Sequence, residues 1–232
     1  MEETQVTKTQ VKEPQETKKP KMLVFVLIYL FNLLVTPTIL YHLMNGGNGQ
    51  ENPILLSNVT AFSHSITLIY ALIYFRSFLM AEAKKLKVLD LSIALVSGFV
   101  LRIILSIVLM KIFPIVQSDN QATLEAMFKV ANPWIMFLLV VITAPIVEEL
   151  VFRQAIIGNL SHRFNVHLLT LISALLFIFA HTGTDIPSAT MYVAITVPII
   201  AVYRYFNNNV VAAIAMHAVS NLIAFGVMFL VL

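Results

Sequence analysis

Residues 133–160 read PWIMFLLVVITAPIVEELVFRQAIIGNL. The run is long enough to cross a bilayer core, for which a helix needs about 20 mostly apolar residues. Yet it carries Glu148, Glu149 and Arg153 well inside it. A charged side chain at the bilayer centre costs roughly 2.5–3.5 kcal/mol on insertion scales, so such residues face a protein interior or a water-filled cavity. The stretch therefore predicts a membrane helix turned towards the inside of a bundle.

The rest of the chain fits that reading. Of its 232 residues, 59% are hydrophobic and only 12% charged, and the mean hydropathy is +0.86. Soluble domains are about 45–50% apolar and about a quarter charged. Besides 133–160, apolar runs lie at about 22–43, 54–79, 89–113, 165–181, 187–203 and 209–232. The expected fold is all-α, a polytopic transmembrane bundle of about seven helices. The count becomes eight if one of the two shorter runs, 165–181 or 187–203, is split, and either is also a candidate re-entrant segment. Residues 1–21 are almost free of apolar side chains and predict a disordered tail, leaving 22–232 as one membrane domain. Local punctuation marks several ends: Asn132-Pro133 as cap and first helical residue, Pro114 after the third run, Asp185 with Pro187 before the sixth, and Asn207–Asn209 as a polar turn.

Lysines and arginines fall in alternate loops. Lys18, Lys19 and Lys21 precede the first run, Lys84, Lys85 and Lys87 follow the second, Arg163 follows the fourth and Arg204 the sixth. By the positive-inside rule this places the amino terminus in the cytoplasm. The net charge of +3 is too small to suggest nucleic acid as a partner. There is no cysteine, which removes thiolate metal sites and a thiol nucleophile.

Few ionisable or amide side chains interrupt the apolar runs, and these carry the functional information. Glu149 and Arg153 are four apart, share a helix face and can pair. Glu148 is rotated from Glu149 by about 100° and stays available for chemistry. Pro145, one turn earlier, removes a backbone hydrogen bond and can kink the helix. His181 ends the fifth run, and His217 and Asn221 share one face of the last. Taken singly, each is as well explained by an ion pair or an interhelical hydrogen bond. Depth argues for a joint role. At 1.5 Å per residue, Glu148, His181, His217 and Asn221 lie roughly 20, 24, 12 and 18 Å from the cytoplasmic ends of their helices. An acid, two imidazoles and an amide at similar depth suit a hydrolase using activated water. Arg102 and His64 invite plainer readings: Arg102 pairs with an acid or snorkels, and His64 belongs to a polar interhelical stripe with Ser57, Ser63 and Thr67.

The motifs EExxxR (Glu148, Glu149, Arg153), FxxxH (Phe177, His181) and HxxxN (His217, Asn221) resemble those of the CPBP intramembrane endopeptidases. That family includes type II CAAX prenyl endopeptidases and bacteriocin-immunity (Abi) proteins. The likeness covers roughly 133–232. It implies peptide-bond hydrolysis within the membrane, near the carboxyl end of a membrane-associated peptide or lipidated protein. Glu148 would be the general base, with His181 helping to activate water. His217 and Asn221 would stabilise the oxyanion, and Glu149 with Arg153 would organise the site. It leaves two chemistries open, a metal-free glutamate site and a zinc site with Glu148, His181 and His217 as ligands. The short loops suggest a bacterial plasma membrane, where peptide-signal processing or bacteriocin immunity would be the role. A non-catalytic immunity protein and a proton-coupled transporter are the competing classes.

Overall fold

The computed structural model describes residues 21–46, 52–113 and 119–231. The tail, most of the GGNGQEN loop and Pro114 lie outside the described residues. Among the described residues there are helices and no strand. In chain order they are α1 (Leu23–Met44), α2 (Pro53–Tyr74), α3 (Arg76–Lys84), α4 (Val88–Ile112), α5 (Asp119–Val130), α6 (Pro133–Gly158), α7 (Val166–Thr182), α8 (Ile186–Tyr205) and α9 (Val210–Val231).

These nine described helices compare with about seven expected. Two account for the difference. The run 54–79 breaks at Phe75, just before Arg76, so its end becomes the separate short helix α3. The polar stretch between the third and fourth runs forms α5. Helices α1, α2, α4, α6 and α9 are long and apolar enough to span a membrane. Helix α7 is shorter, with 17 residues. Both its ends are fixed: Asn165 Oδ1 accepts from the His167 and Leu168 amides, and Gly183 stops the helix with φ +55°. Helix α8 contains Pro198. The chain is thus an integral membrane protein.

Its exposed surface agrees. Val88, Leu89, Ile93, Val96, Ile104 and Ile107 of α4 all point outward, and Gly98 is the buried residue of that helix. Against lipid, burying such side chains gives little gain, so association depends on close packing and interhelical polar contacts. Both are present. A Cβ on Gly98 would lie 2.8 Å from Met216 Sδ and 3.3 Å from Val202 Cγ2, so glycine lets α4 approach α8 and α9. The polar stripe of α2 meets α1: Asn32 Nδ2 donates to Thr67 Oγ1 at 3.1 Å, and Ser63 Oγ donates to the Asn32 carbonyl. His64 is turned to its own helix, Nδ1 lying 2.9 Å from the Thr60 carbonyl.

The turn before α9 uses asparagines as the sequence suggests. Asn207 and Asn208 adopt φ of 56° and 64°, a left-handed conformation for which asparagine is enriched. Asn209 caps α9, its Oδ1 accepting from the Val211 and Ala212 amides. Its Nδ2 donates to the Glu82 carbonyl at 2.9 Å, anchoring α3 to the start of α9.

Candidate functional site

Helix α6 is irregular where it matters. Asn132 caps it, accepting from the Trp134 amide at 2.9 Å. Leu138–Thr143 is π-helical, Ala144–Glu149 is α-helical, and Leu150–Gly158 is π-helical again. Pro145, expected as a kink, falls just after the first π segment, and the Ala144 amide there reaches back five residues to the Leu139 carbonyl. A proline has no amide for an i→i−4 bond, so it tolerates this wider winding. Insertions of this kind are rare and occur often at functional sites. The two glutamates occupy the short α-helical piece between the two.

Glu149 and Arg153 face the protein interior, with side chains 0% exposed. Glu149 Oε2 lies 3.1 Å from Arg153 Nε. The guanidinium is also fixed from α7: Nη1 donates to Ser173 Oγ at 3.3 Å, and Cζ sits 4.7 Å above the centre of the Phe177 ring. Ser173 Oγ passes its own proton towards the Phe152 carbonyl at 2.7 Å. Tyr203 of α8 donates to the Arg153 carbonyl at 3.3 Å. A buried charge pair needs this support, because desolvation offsets much of its attraction.

Glu148 turns the other way, and its side chain retains 15% exposure. Its Oε2 lies 3.6 Å from His181 Nε2 and 4.0 Å from His217 Nε2. The second nitrogen of each ring is held elsewhere. His181 Nδ1 is 2.8 Å from the Phe177 carbonyl, which can only accept, so Nδ1 carries the proton. His217 Nδ1 is 2.9 Å from Glu149 Oε1, a carboxylate neutralised by Arg153, so the same assignment holds. Each ring therefore turns its Nε2 towards Glu148. Phe177 stands between the parts: its ring lies 4.5 Å from that of His181 and 5.7 Å from that of His217, and Tyr192 stacks on the far side of His181 at 4.8 Å.

Asn221 is tied to α6. Its Nδ2 donates to the Val140 carbonyl at 2.9 Å, inside the first π segment. It therefore holds α9 against the irregular backbone of α6. Arg102 pairs with no carboxylate among the described residues; its Nη1 donates to the Ser220 carbonyl at 3.1 Å.

Zinc would need donor atoms of Glu148, His181 and His217 about 2.0–2.2 Å from one centre. The donor types suit the ion, and neighbouring ligands of a tetrahedral centre lie about 3.3–3.6 Å from each other, so the 3.6 Å from Glu148 Oε2 to His181 Nε2 fits and the 4.0 Å to His217 Nε2 is slightly wide. No group of three or more described His, Asp or Glu residues is arranged to hold a metal.

Ser173, Tyr192, Tyr203 and the Val140 carbonyl are parts of the site that the motifs do not name. Ser173 had a signal in the sequence: Ser173, Phe177 and His181 recur at intervals of four on one face of α7. Tyr192, Tyr203 and Val140 had none.

Residues 130–223 match the family described as type II CAAX prenyl endopeptidase, Rce1-like. No curated protein and no solved structure is significantly similar to the chain. Every residue of the three motifs falls inside the matched stretch. The matched stretch, residues 130–223, is thus similar to the Rce1-like type II CAAX prenyl endopeptidases, the family its motifs resemble.

Proposed function

We propose that the protein is an intramembrane endopeptidase in which Glu148 activates water against a peptide bond. The observation that carries this reading is the convergence of Glu148 Oε2 with the Nε2 atoms of His181 and His217, at 3.6 and 4.0 Å. A water lodged there donates one hydrogen to Glu148 and the other to His181 Nε2, which is free to accept because Nδ1 donates to Phe177. As the water oxygen adds to the carbonyl carbon, Glu148 takes its proton. When the tetrahedral intermediate collapses, Glu148 returns that proton to the leaving nitrogen. Glu149 and Arg153 keep His217 in one tautomer and orientation, in the manner of an orienting acid behind an imidazole. No step is routed through a metal.

The substrate class follows from the family and from the depth of the site: a peptide bond near the carboxyl end of a membrane-associated peptide or lipidated protein. The loop charges support a cytoplasmic amino terminus, and a bacterial plasma membrane with a role in peptide maturation or bacteriocin immunity fits the short loops. The test uses the full chain in nanodiscs with an internally quenched, farnesylated peptide ending in a CAAX sequence. It is paired with peptidomics of membranes from cells carrying wild type or Glu148→Gln. Cleavage by wild type and none by Glu148→Gln at equal protein level supports the reading. Immunity that survives Glu148→Gln, without any peptide difference, supports a binding protein instead.

A further inference from the structure

The two histidines of the site are held in different ways. His217 lies well inside α9 and is fixed by the carboxylate of Glu149 at 2.9 Å. His181 is tied instead to its own helix, Nδ1 resting 2.8 Å from the Phe177 carbonyl. It is also the residue before the last of α7, which ends at Thr182. Terminal turns of helices fray. One hydrogen bond at a single edge leaves the ring able to pivot, and a pivot displaces Nε2, the atom that faces Glu148 at 3.6 Å.

Two aromatic rings oppose that motion. The Phe177 ring lies 4.5 Å from the imidazole with the planes 36° apart, and the Tyr192 ring lies 4.8 Å from it with the planes 31° apart. Both distances are those of favourable aromatic pairs. Phe177 belongs to α7 and moves with it. Tyr192 comes from α8 and ties the imidazole to a second helix. A short turn brings it there. The Asp185 amide donates to the Thr182 carbonyl at 3.0 Å, and Ser188 Oγ donates to the Asp185 carboxylate. Ser188 is buried, and Tyr192, four residues on, shares its face of α8. The stack covers the flat of the imidazole, while the side chain keeps 17% exposure for contact with a ligand.

We propose that Tyr192 is a positioning residue for the hydrolysis: stacked on His181, it keeps Nε2 aimed at Glu148 and at the water between them. The inference rests on the protease reading above and deepens it with a group that none of the three motifs contains.

The test compares wild type, Tyr192→Leu, Tyr192→Phe and Glu148→Gln, full length in nanodiscs, on the quenched farnesylated peptide. Tyr192→Leu removes the ring and should lower kcat on the order of 10–10²-fold, the range expected for a misplaced catalytic group, with KM little changed. Tyr192→Met, equally ringless, carries the same expectation and covers the case in which leucine unseats α8. Tyr192→Phe restores the ring and should recover most of the loss. Each protein is also labelled with carbon-13 in its histidine rings, the His181 signal being assigned by its disappearance in His181→Gln. Lying over two aromatic faces, the His181 ring protons should resonate upfield. They should move downfield in Tyr192→Leu and Tyr192→Met and stay in place in Tyr192→Phe, a change that altered packing elsewhere would not cause. Ringless variants with kcat within about twofold of wild type, a Tyr192→Phe as slow as they are, or an unmoved His181 signal overturns the inference, while an inactive Glu148→Gln leaves the protease reading standing. Full activity of Glu148→Gln overturns both.

Discussion

His217 Nδ1 lies 2.9 Å from Glu149 Oε1, and this contact decides which face of the imidazole the other glutamate meets. Adjacent acids thus have opposite duties. Glu149 is sealed, neutralised by Arg153 and spent on holding His217. Glu148 is left partly open between the Nε2 atoms of two imidazoles.

Replacing the open acid should stop the chemistry without harming the fold. Glu148→Gln keeps the volume and removes the base, so kcat on the quenched farnesylated peptide should fall by about 10²–10⁴. His181→Ala should fall in the same range. Both proteins should accumulate in membranes and melt near the wild-type temperature. Equal loss of folded protein would assign the two residues to structure.

The sealed pair should behave in the opposite way. Arg153→Met alone leaves Glu149 as an uncompensated buried charge, a change that costs about 3–5 kcal/mol. Glu149→Leu combined with Arg153→Met removes both charges and should recover most of that stability, since apolar replacement of a whole buried pair is often neutral. Activity should stay lost in the double variant, because His217 Nδ1 has no acceptor. Thermal unfolding and peptide cleavage, measured on the same preparations, separate the two effects.

Asn221→Leu removes the donor to the half-buried Val140 carbonyl. The expected loss is about 1–3 kcal/mol. Hydrogen exchange should rise in residues 138–143 more than elsewhere. An unchanged exchange pattern with reduced kcat would place Asn221 at the oxyanion alone.

Removal of metal tests the chemistry directly. Dialysis of the nanodisc protein against a strong chelator should leave peptide cleavage unchanged. Inactivation by chelator that zinc reverses would instead make Glu148, His181 and His217 ligands.

Much of this arrangement can be read from one sequence, and the parts that cannot share a physical reason. Charges in apolar runs are costly and sparse, so Glu148, Glu149, Arg153, His181 and His217 stand out, and helical spacing places Glu149 with Arg153. The Asn132 and Asn207–Asn209 punctuation also reads correctly, because capping and left-handed turns are local. What escapes is the partner supplied by another helix. Nothing about Asn221 in its own segment points to the carbonyl of Val140. Nothing near Arg102 signals that it meets the Ser220 carbonyl instead of an acid. The extra helices α3 and α5 escape for another reason: α5 is polar, and α3 begins inside the run 54–79, where the break at Phe75 has no signal of its own. The π winding of α6 is equally silent, since Pro145 announces a disturbance but not its form.

That winding makes the site a matter of counting. A wider turn holds a residue that a regular helix would not need, so residues 138–143 act as a slack in the helix's reading frame. Deleting one residue there lets the turn close to a regular α-helix; deleting a second, with the start of α6 held in place, turns everything downstream by about 100°. Glu149 would then stand where Glu148 stands, and Leu150 would meet His217 in place of a carboxylate. The chemical identity of every motif residue would survive, and the address of each would be wrong.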